Sequence, residues 1–374
     1  MRRRRLPRLA ALRRWVAGMD FVLLGSVLGL CILGTLAILS ATRSPEAPSG
    51  LLPVRLVHLA VGGILLGVCA ALPLKTFQRA AKGLYGLSLA LLLVVDLSGH
   101  ERLGAQRWLQ LGPLSFQPSE LAKLSVILFL SDTLARRTTP LRNLWEVAGW
   151  GLWVLPALVL VFLQPDFGTS LVFLAIVLGM LFVAGTPLRT LAGLVGIGLA
   201  ALPVVWRWLK PYQQKRLLVF LDPSLDPLGA GYHLIQSKIA IGSGQVWGKG
   251  LFQGTQNALQ FLPMQHTDFV FAVIGEELGF VGAMGVLVLF WIYLIRGLQA
   301  AQRAPDAFGR MVGAGIVSMV GFHVLVNVGM TVGMMPVTGI PLPFLSYGGS
   351  ALIANLAATG VLLNLGRRRG WSGP

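Results

Sequence analysis

Residues 261–279 read FLPMQHTDFVFAVIGEELG, which sets His266, Thr267 and Asp268 immediately before a long apolar run and Glu276 and Glu277 inside it. The chain has only 14 acidic residues against 31 basic ones, so three carboxylates this close together are the first place to look for chemistry. A carboxylate at the edge of a bilayer is costly to keep ionised and is a candidate functional group by default. Two roles suit Asp268. With Thr267 it would cap the helix that begins at Phe269; alternatively it is a general base held where a loop meets the membrane. Burial would raise its pKa and neighbouring cations would lower it.

Three further stretches carry polar groups in unusual settings. In GAQRWLQLGPLSFQPSELAKL, residues 104–124, Arg107 and Trp108 are adjacent, and Pro118, Ser119 and Glu120 start a helix. Ser119 can cap it and Glu120 suits its positive end. Glu120 and Lys123 stand three apart and share a helix face. They form either a self-neutralising pair or, with Arg107 near by, a cationic site for phosphate oxygens. In QPDFGTS, residues 164–170, Asp166 is a turn residue or a site residue. The Gly- and Pro-broken run NVGMTVGMMPVTGIPLPFLSYGGS, residues 327–350, offers Asn327, Thr331, Ser346, Tyr347 and Ser350. With Asn355 beyond it, these either line a cavity or bond helix to helix. His58, His233 and His323 are isolated and have no zinc-ligand spacing.

The elements that must position these groups are membrane helices. The chain is 55% hydrophobic and only 12% charged, with a mean hydropathy of +0.73, which excludes an ordinary soluble domain. Ten apolar spans are expected, near 18–40, 51–74, 84–98, 117–135, 144–163, 168–186, 188–208, 269–297, 311–335 and 346–365. Most of the basic residues fall between spans on one side, which puts both termini in the cytoplasm. The fold class is therefore an all-α polytopic membrane protein forming one integral membrane domain over 1–374. Residues 1–17 form a basic cytoplasmic N-terminus, 209–268 a large extracytoplasmic loop between spans seven and eight, and 366–374 a cytoplasmic tail. Within that loop 212–221 and 231–241 read as short interfacial helices. The net charge of +17 flanks spans instead of covering a soluble face, so lipid contact explains it better than nucleic acid. Cys31 and Cys69 lie in apolar helices and read as packing residues.

Taken together, GAQRWLQLG with FQPSELAKL, QPDFGTSLVF, GYHLIQSKIAIGSG, HTDFVFAVIGEELG and NVGMTVGMMPVTGIPLPFLSYGGS resemble the SEDS family (shape, elongation, division and sporulation) of peptidoglycan polymerases. The resemblance covers nearly the whole chain. GKGLFQGTQ, residues 248–256, is closer to the elongation branch, RodA, than to the division branch, FtsW. The resemblance implies an inverting glycosyltransferase of a bacterial cytoplasmic membrane that polymerises lipid II into β-1,4 glycan strands during cell elongation. It makes Asp268 the essential acid. The candidates for binding that substrate are Arg107, Trp108, Gln117, Ser119, Glu120, Lys123, Asp166, Lys238, His266, Thr267, Ser346 and Tyr347. Dependence on a divalent cation, Mg²⁺ or Mn²⁺, and partnership with a class B penicillin-binding protein are family traits as well. Where the family usually reads LPE, this chain has Leu262, Pro263 and Met264. That carboxylate is therefore absent, or is supplied by Glu276 or Glu277. A flippase of lipid-linked precursors is the rival expectation, because it too needs intramembrane charges.

Overall fold

The computed structural model describes residues 18–367 apart from 43–49, 99, 103, 104, 112, 113, 138, 140, 227, 228, 260 and 263. The terminal segments 1–17 and 368–374, read above as cytoplasmic, and Pro263 of the altered LPE stretch lie outside the described residues.

Fourteen described helices carry nearly all the structure. They are α1 (Phe21–Ala41), α2 (Leu51–Ala71), α3 (Leu74–Ser98), α4 (Pro118–Ala135), α5 (Leu144–Gly151), α6 (Leu155–Leu163), α7 (Phe167–Val183), α8 (Leu188–Trp208), α9 (Pro211–Leu221), α10 (Ala230–Ser243), α11 (Thr255–Ala258), α12 (Val270–Gln302), α13 (Ala307–Thr331) and α14 (Gly349–Arg367). Seven of these are long and apolar enough to cross a bilayer, and an eighth span forms if α5 and α6, bent by 62° at their junction, are taken together. The protein is a polytopic, essentially all-α membrane protein. One departure from the expected fold is a small antiparallel sheet of β1 (His100–Arg102), β2 (Ala105–Leu111) and β3 (Leu114–Phe116), in the order β1-β2-β3. A second is α3, which starts ten residues before the expected span and carries Lys75, Arg79 and Lys82 as exposed residues. Long basic side chains let a helix continue through the interface, their stems on apolar surface and their heads in water.

Burial separates a protein-packed interior from a lipid-facing exterior. Helix α4 is buried along most of its length, and α13 likewise. By contrast Thr190 is the one buried residue of α8, and Ile197, Leu199 and Val204 on it are more than half exposed. So much bare apolar surface is stable only against hydrocarbon. At one end of the bundle Asp20 caps α1 by accepting from the backbone N–H of Leu23 (3.0 Å) and takes an ion pair from Arg296 of α12 (2.7 Å). At the other end α12 kinks at Gly279, whose φ of 63° is a left-handed conformation. Side chains resist that region. A Cβ there would also run into the backbone of Gly248. The backbone of 245–250 docks on the kink, with Phe280 N bonded to Gln245 O at 2.8 Å and Lys249 N to Glu276 O at 3.0 Å. The two interfacial helices expected in the long loop are present as α9 and α10.

Candidate active site

The HTDF turn is built from backbone bonds to Met264 O, which accepts from the N–H of Thr267 and of Asp268, each at 3.1 Å, and from the Thr267 hydroxyl at 3.2 Å. Helix α12 then starts at Phe269 with no side-chain cap. The capping expectation for Thr267 and Asp268 is thereby corrected: neither side chain caps the helix, and the Thr267 hydroxyl lies between Met264 O and the Asp268 carboxylate. The turn is fastened from two sides. Asn327 of α13 donates to Asp268 O at 3.0 Å and to Ile340 O at 2.8 Å. Tyr347 N donates to His266 O at 2.8 Å, and the two rings meet edge to face. Gly339, at a φ of 73°, brings its backbone close to the carboxylate; a Cβ there would stand 3.5 Å from Asp268 Oδ2.

Behind Gly339, and within the field of Arg216 and Arg107, Asp268 lies next to a cleft open to solvent. Its walls include Arg107 of β2, Gly168 of α7, Tyr212 and Arg216 of α9, and Thr338, the neighbour of Gly339. Burial pushes the Asp268 carboxyl above the ordinary carboxylate range, while Arg216, a hydrogen bond from Thr267 and Arg107 pull it back down. The direction that sequence left open is thus upward. Arg107 is heavily engaged: its guanidinium donates to Gln164 O at 3.0 Å and to Pro165 O, and it lies 3.7 Å from Asp166. Gln213 of α9 donates to the same Pro165 carbonyl at 3.1 Å. The QPD turn therefore joins β2 to α9. Asp166 serves as the N-cap of α7, accepting from Thr169 N at 3.2 Å, so it is both turn residue and cleft neighbour. Arg216 lies over the Tyr212 ring at 5.6 Å, which leaves its N–H donors for a ligand.

Other expected site residues are elsewhere or otherwise occupied. Glu120 and Lys123 are buried inside the bundle, paired at 2.9 Å, and Lys123 continues to His323 of α13 at 3.0 Å. Sequence spacing predicted the pair; the third member, 200 residues away, was invisible. Ser119 does not cap α4. The cap position is Gln117, whose side chain makes no capping bond and whose N–H donates to the Ser350 hydroxyl at 3.0 Å. Ser119 is buried with its hydroxyl unbonded. Trp108 is half-buried in β2, opposite His100. Lys238 of α10 is exposed and lies against Gly333, three residues before Pro336 of the cleft wall. Ser346 is structural, its hydroxyl accepting from Leu342 N at 2.8 Å.

Glu276 and Glu277 are not brought to Asp268. Glu276 accepts from Lys249 Nζ (2.7 Å), Gln256 N (3.0 Å) and Thr255 Oγ1 (3.2 Å), and Glu277 accepts from the Ser40 hydroxyl. Neither replaces a carboxylate at 264. A residue that sequence reasoning missed is Arg55 of α2, fully buried, which donates to Ser346 O at 2.6 Å and to Phe344 O. An arginine one turn into an apolar helix was the available signal.

Residues 18–370 match the FtsW/RodA/SpoVE cell cycle protein family. The peptidoglycan glycosyltransferase MrdB of Escherichia coli K12 is 41% identical over 361 residues, covering 94% of each chain. Among solved structures, a chain of a peptidoglycan synthase complex studied for coordination of polymerization and crosslinking superposes with a TM-score of 0.79 at 38% identity. It is matched over 94% of this chain and 99% of its own. The rod shape determining protein RodA of Thermus thermophilus gives a TM-score of 0.70 at 36% identity, over 94% and 97% of the two chains. The chain belongs to the FtsW/RodA/SpoVE family.

Proposed function

We infer that this protein is a peptidoglycan glycosyltransferase that polymerises lipid II, with Asp268 as general base. The observation that carries the assignment is a carboxylate with a raised pKa held close to Arg107 and Arg216, both of which line an open cleft. A sugar hydroxyl is a very weak acid, so the acceptor 4-hydroxyl needs a base as the new bond forms. A carboxylate made more basic by burial is better matched to that proton than an ordinary one. Attack at the anomeric carbon expels undecaprenyl pyrophosphate and inverts the centre, converting an α-linked donor into a β-1,4 link. The charge that develops on pyrophosphate requires fixed cations. Arg216 is the better placed of the two arginines, since Arg107 is committed to carbonyl oxygens. Holding both lipid-linked reactants in one cleft contributes through orientation.

A divalent cation fits this donor set as one shared with substrate phosphates, with Asp268 the nearby protein oxygen donor; among the described residues no three His, Cys, Asp or Glu side chains converge. When bound it supplies positive charge to the leaving group. The spans are ten if α4, α7 and the α5–α6 pair each cross, in a single membrane domain. Both termini then face the cytoplasm of a bacterial inner membrane, and Asp268 faces outward. GKGLFQGTQ and the likeness to MrdB favour the elongation role over the division role, with a class B penicillin-binding protein as the cross-linking partner. The buried Glu120–Lys123–His323 chain is a feature that a flippase would also use. One assay separates the two: purified protein given lipid II forms glycan strands and the Asp268→Asn variant forms none. Strand formation by that variant at the wild-type rate would remove Asp268 as the base.

A further inference from the structure

At the end of the bundle opposite Asp268, the end of α4, the end of α7 and the start of α13 enclose a second cleft with about 260 Å³ of free space. Asn327, which holds the Asp268 turn, and Arg310, which lines this cleft, are both on α13, roughly 25 Å apart at helical rise. The cleft has two chemical halves. Leu134, Val183 and Met311 are apolar, whereas Arg137, Arg310 and Thr139 bring two guanidinium groups and a hydroxyl.

Both arginines are exposed and have donors to spare. Arg310 makes no side-chain hydrogen bond or ion pair among the described residues. Arg137 has one ion-pair partner, Glu146, at 4.0 Å. That carboxylate already accepts from Arg142 N at 3.2 Å and from Asn143 Nδ2 at 2.8 Å. Asp306 is turned onto Gly309 N at 2.8 Å as the cap of α13, and Asp132 is paired with Arg136 at 3.0 Å. Guanidinium groups bind phosphate oxygens through paired N–H donors. A cleft lined by both guanidinium and apolar groups, set at the end of membrane helices, suits a phosphate that carries hydrocarbon.

We propose that this cleft binds the phosphate headgroup of an anionic phospholipid, with Arg137 and Arg310 on the phosphate and Thr139 as a further hydrogen-bond partner. Its place in the inner leaflet rests on the topology given above; binding itself does not.

The test uses the full-length protein purified in detergent, where no leaflet exists, so an error in topology leaves the measurement intact. Native mass spectrometry reads retention of phosphatidylglycerol, with phosphatidylcholine as the zwitterionic comparison. The wild type is expected to retain phosphatidylglycerol preferentially. Arg137→Gln with Arg310→Gln should lower that retention roughly tenfold or more. A control pair, Arg79→Gln with Arg189→Gln, removes the same charge from exposed positions outside the cleft and should leave retention unchanged. Equal loss in the control pair, or equal retention of phosphatidylcholine, would overturn the proposal in favour of diffuse attraction. Sodium phosphate provides the last arm: if it raises the melting temperature through the two arginines while phosphatidylglycerol is not retained, the lipid assignment falls and a free anion takes its place.

Discussion

Asp268 and the pair Glu276–Glu277 lie within ten residues of one another and have opposite fates. Asp268 is held by its backbone, through Asn327 and the Met264 turn, while its carboxylate lies in the field of two arginines that line the neighbouring cleft. The Glu276 carboxylate is held by its oxygens, with Lys249, Thr255 and Gln256 all donating to the same atom. A carboxylate oxygen that already takes three donors fastens structure. A group positioned from behind is available to a substrate. The second arrangement is what general-base chemistry requires, because the proton must arrive at an oxygen with a free lone pair.

That contrast can be broken or sharpened in four ways. The largest effect is expected from Asp268→Asn, which should lower strand formation from lipid II by about a hundredfold or more. Thermal stability should move the other way. Because the folded pKa lies above the unfolded one, the stability linked to this group is present at low pH and lost as pH rises through the folded value. The amide variant should therefore melt no lower than wild type at neutral pH; a clear drop would make Asp268 structural. Glu276→Ala should show the reverse pattern. It strands the half-enclosed Lys249 ammonium and should cost about 3 kcal/mol, read as a lower melting temperature in detergent. An unchanged melting curve would deny the fastening role.

Gly279→Ala is next, at about 2 kcal/mol, from left-handed strain and a forced retreat of the Gly248 backbone. If it melts like wild type, the docked 245–250 segment does not contribute to stability. The smallest effect separates the two arginines. Both lower the Asp268 pKa, Arg216 more strongly than Arg107. Removing either should move the acidic limb of the rate–pH profile to higher pH, and Arg216→Gln should move it further than Arg107→Gln. The reverse ranking would return the electrostatic role to Arg107.

The membrane helices were legible because an apolar run long enough to cross hydrocarbon is a local property of sequence. All ten expected runs coincide with helical segments. What escaped was whatever depends on geometry between runs. The 62° bend between α5 and α6 falls between Gly151 and Pro156, residues that mark a break in the sequence but not its angle. The strands over 100–116 are too short and too broken by glycine and proline to show a period. At the site, Asp268, Arg107 and the irregular 327–350 run could be picked out by residue type. Asn327 reaching Asp268 O, and Glu276 reaching Lys249, could not, because each hydrogen bond joins residues that only tertiary packing brings together. The resemblance to a known family marked which carboxylate mattered; the structure adds why the other two are unavailable.

Arg55 carries a consequence for the order in which the molecule is assembled. Its carbonyl partners stand 289 and 291 positions later in the chain. During synthesis α2 enters the membrane long before the 344–346 segment exists. Until then the guanidinium can only reach toward the headgroups on its long stem. When the last segment arrives, the same side chain swings inward to grip it, and Tyr347, next in line, closes on His266. The Asp268 turn is thus completed by residues made long after α2. A chain cut short before residue 344 would insert its early helices and still leave the Asp268 turn open on one side.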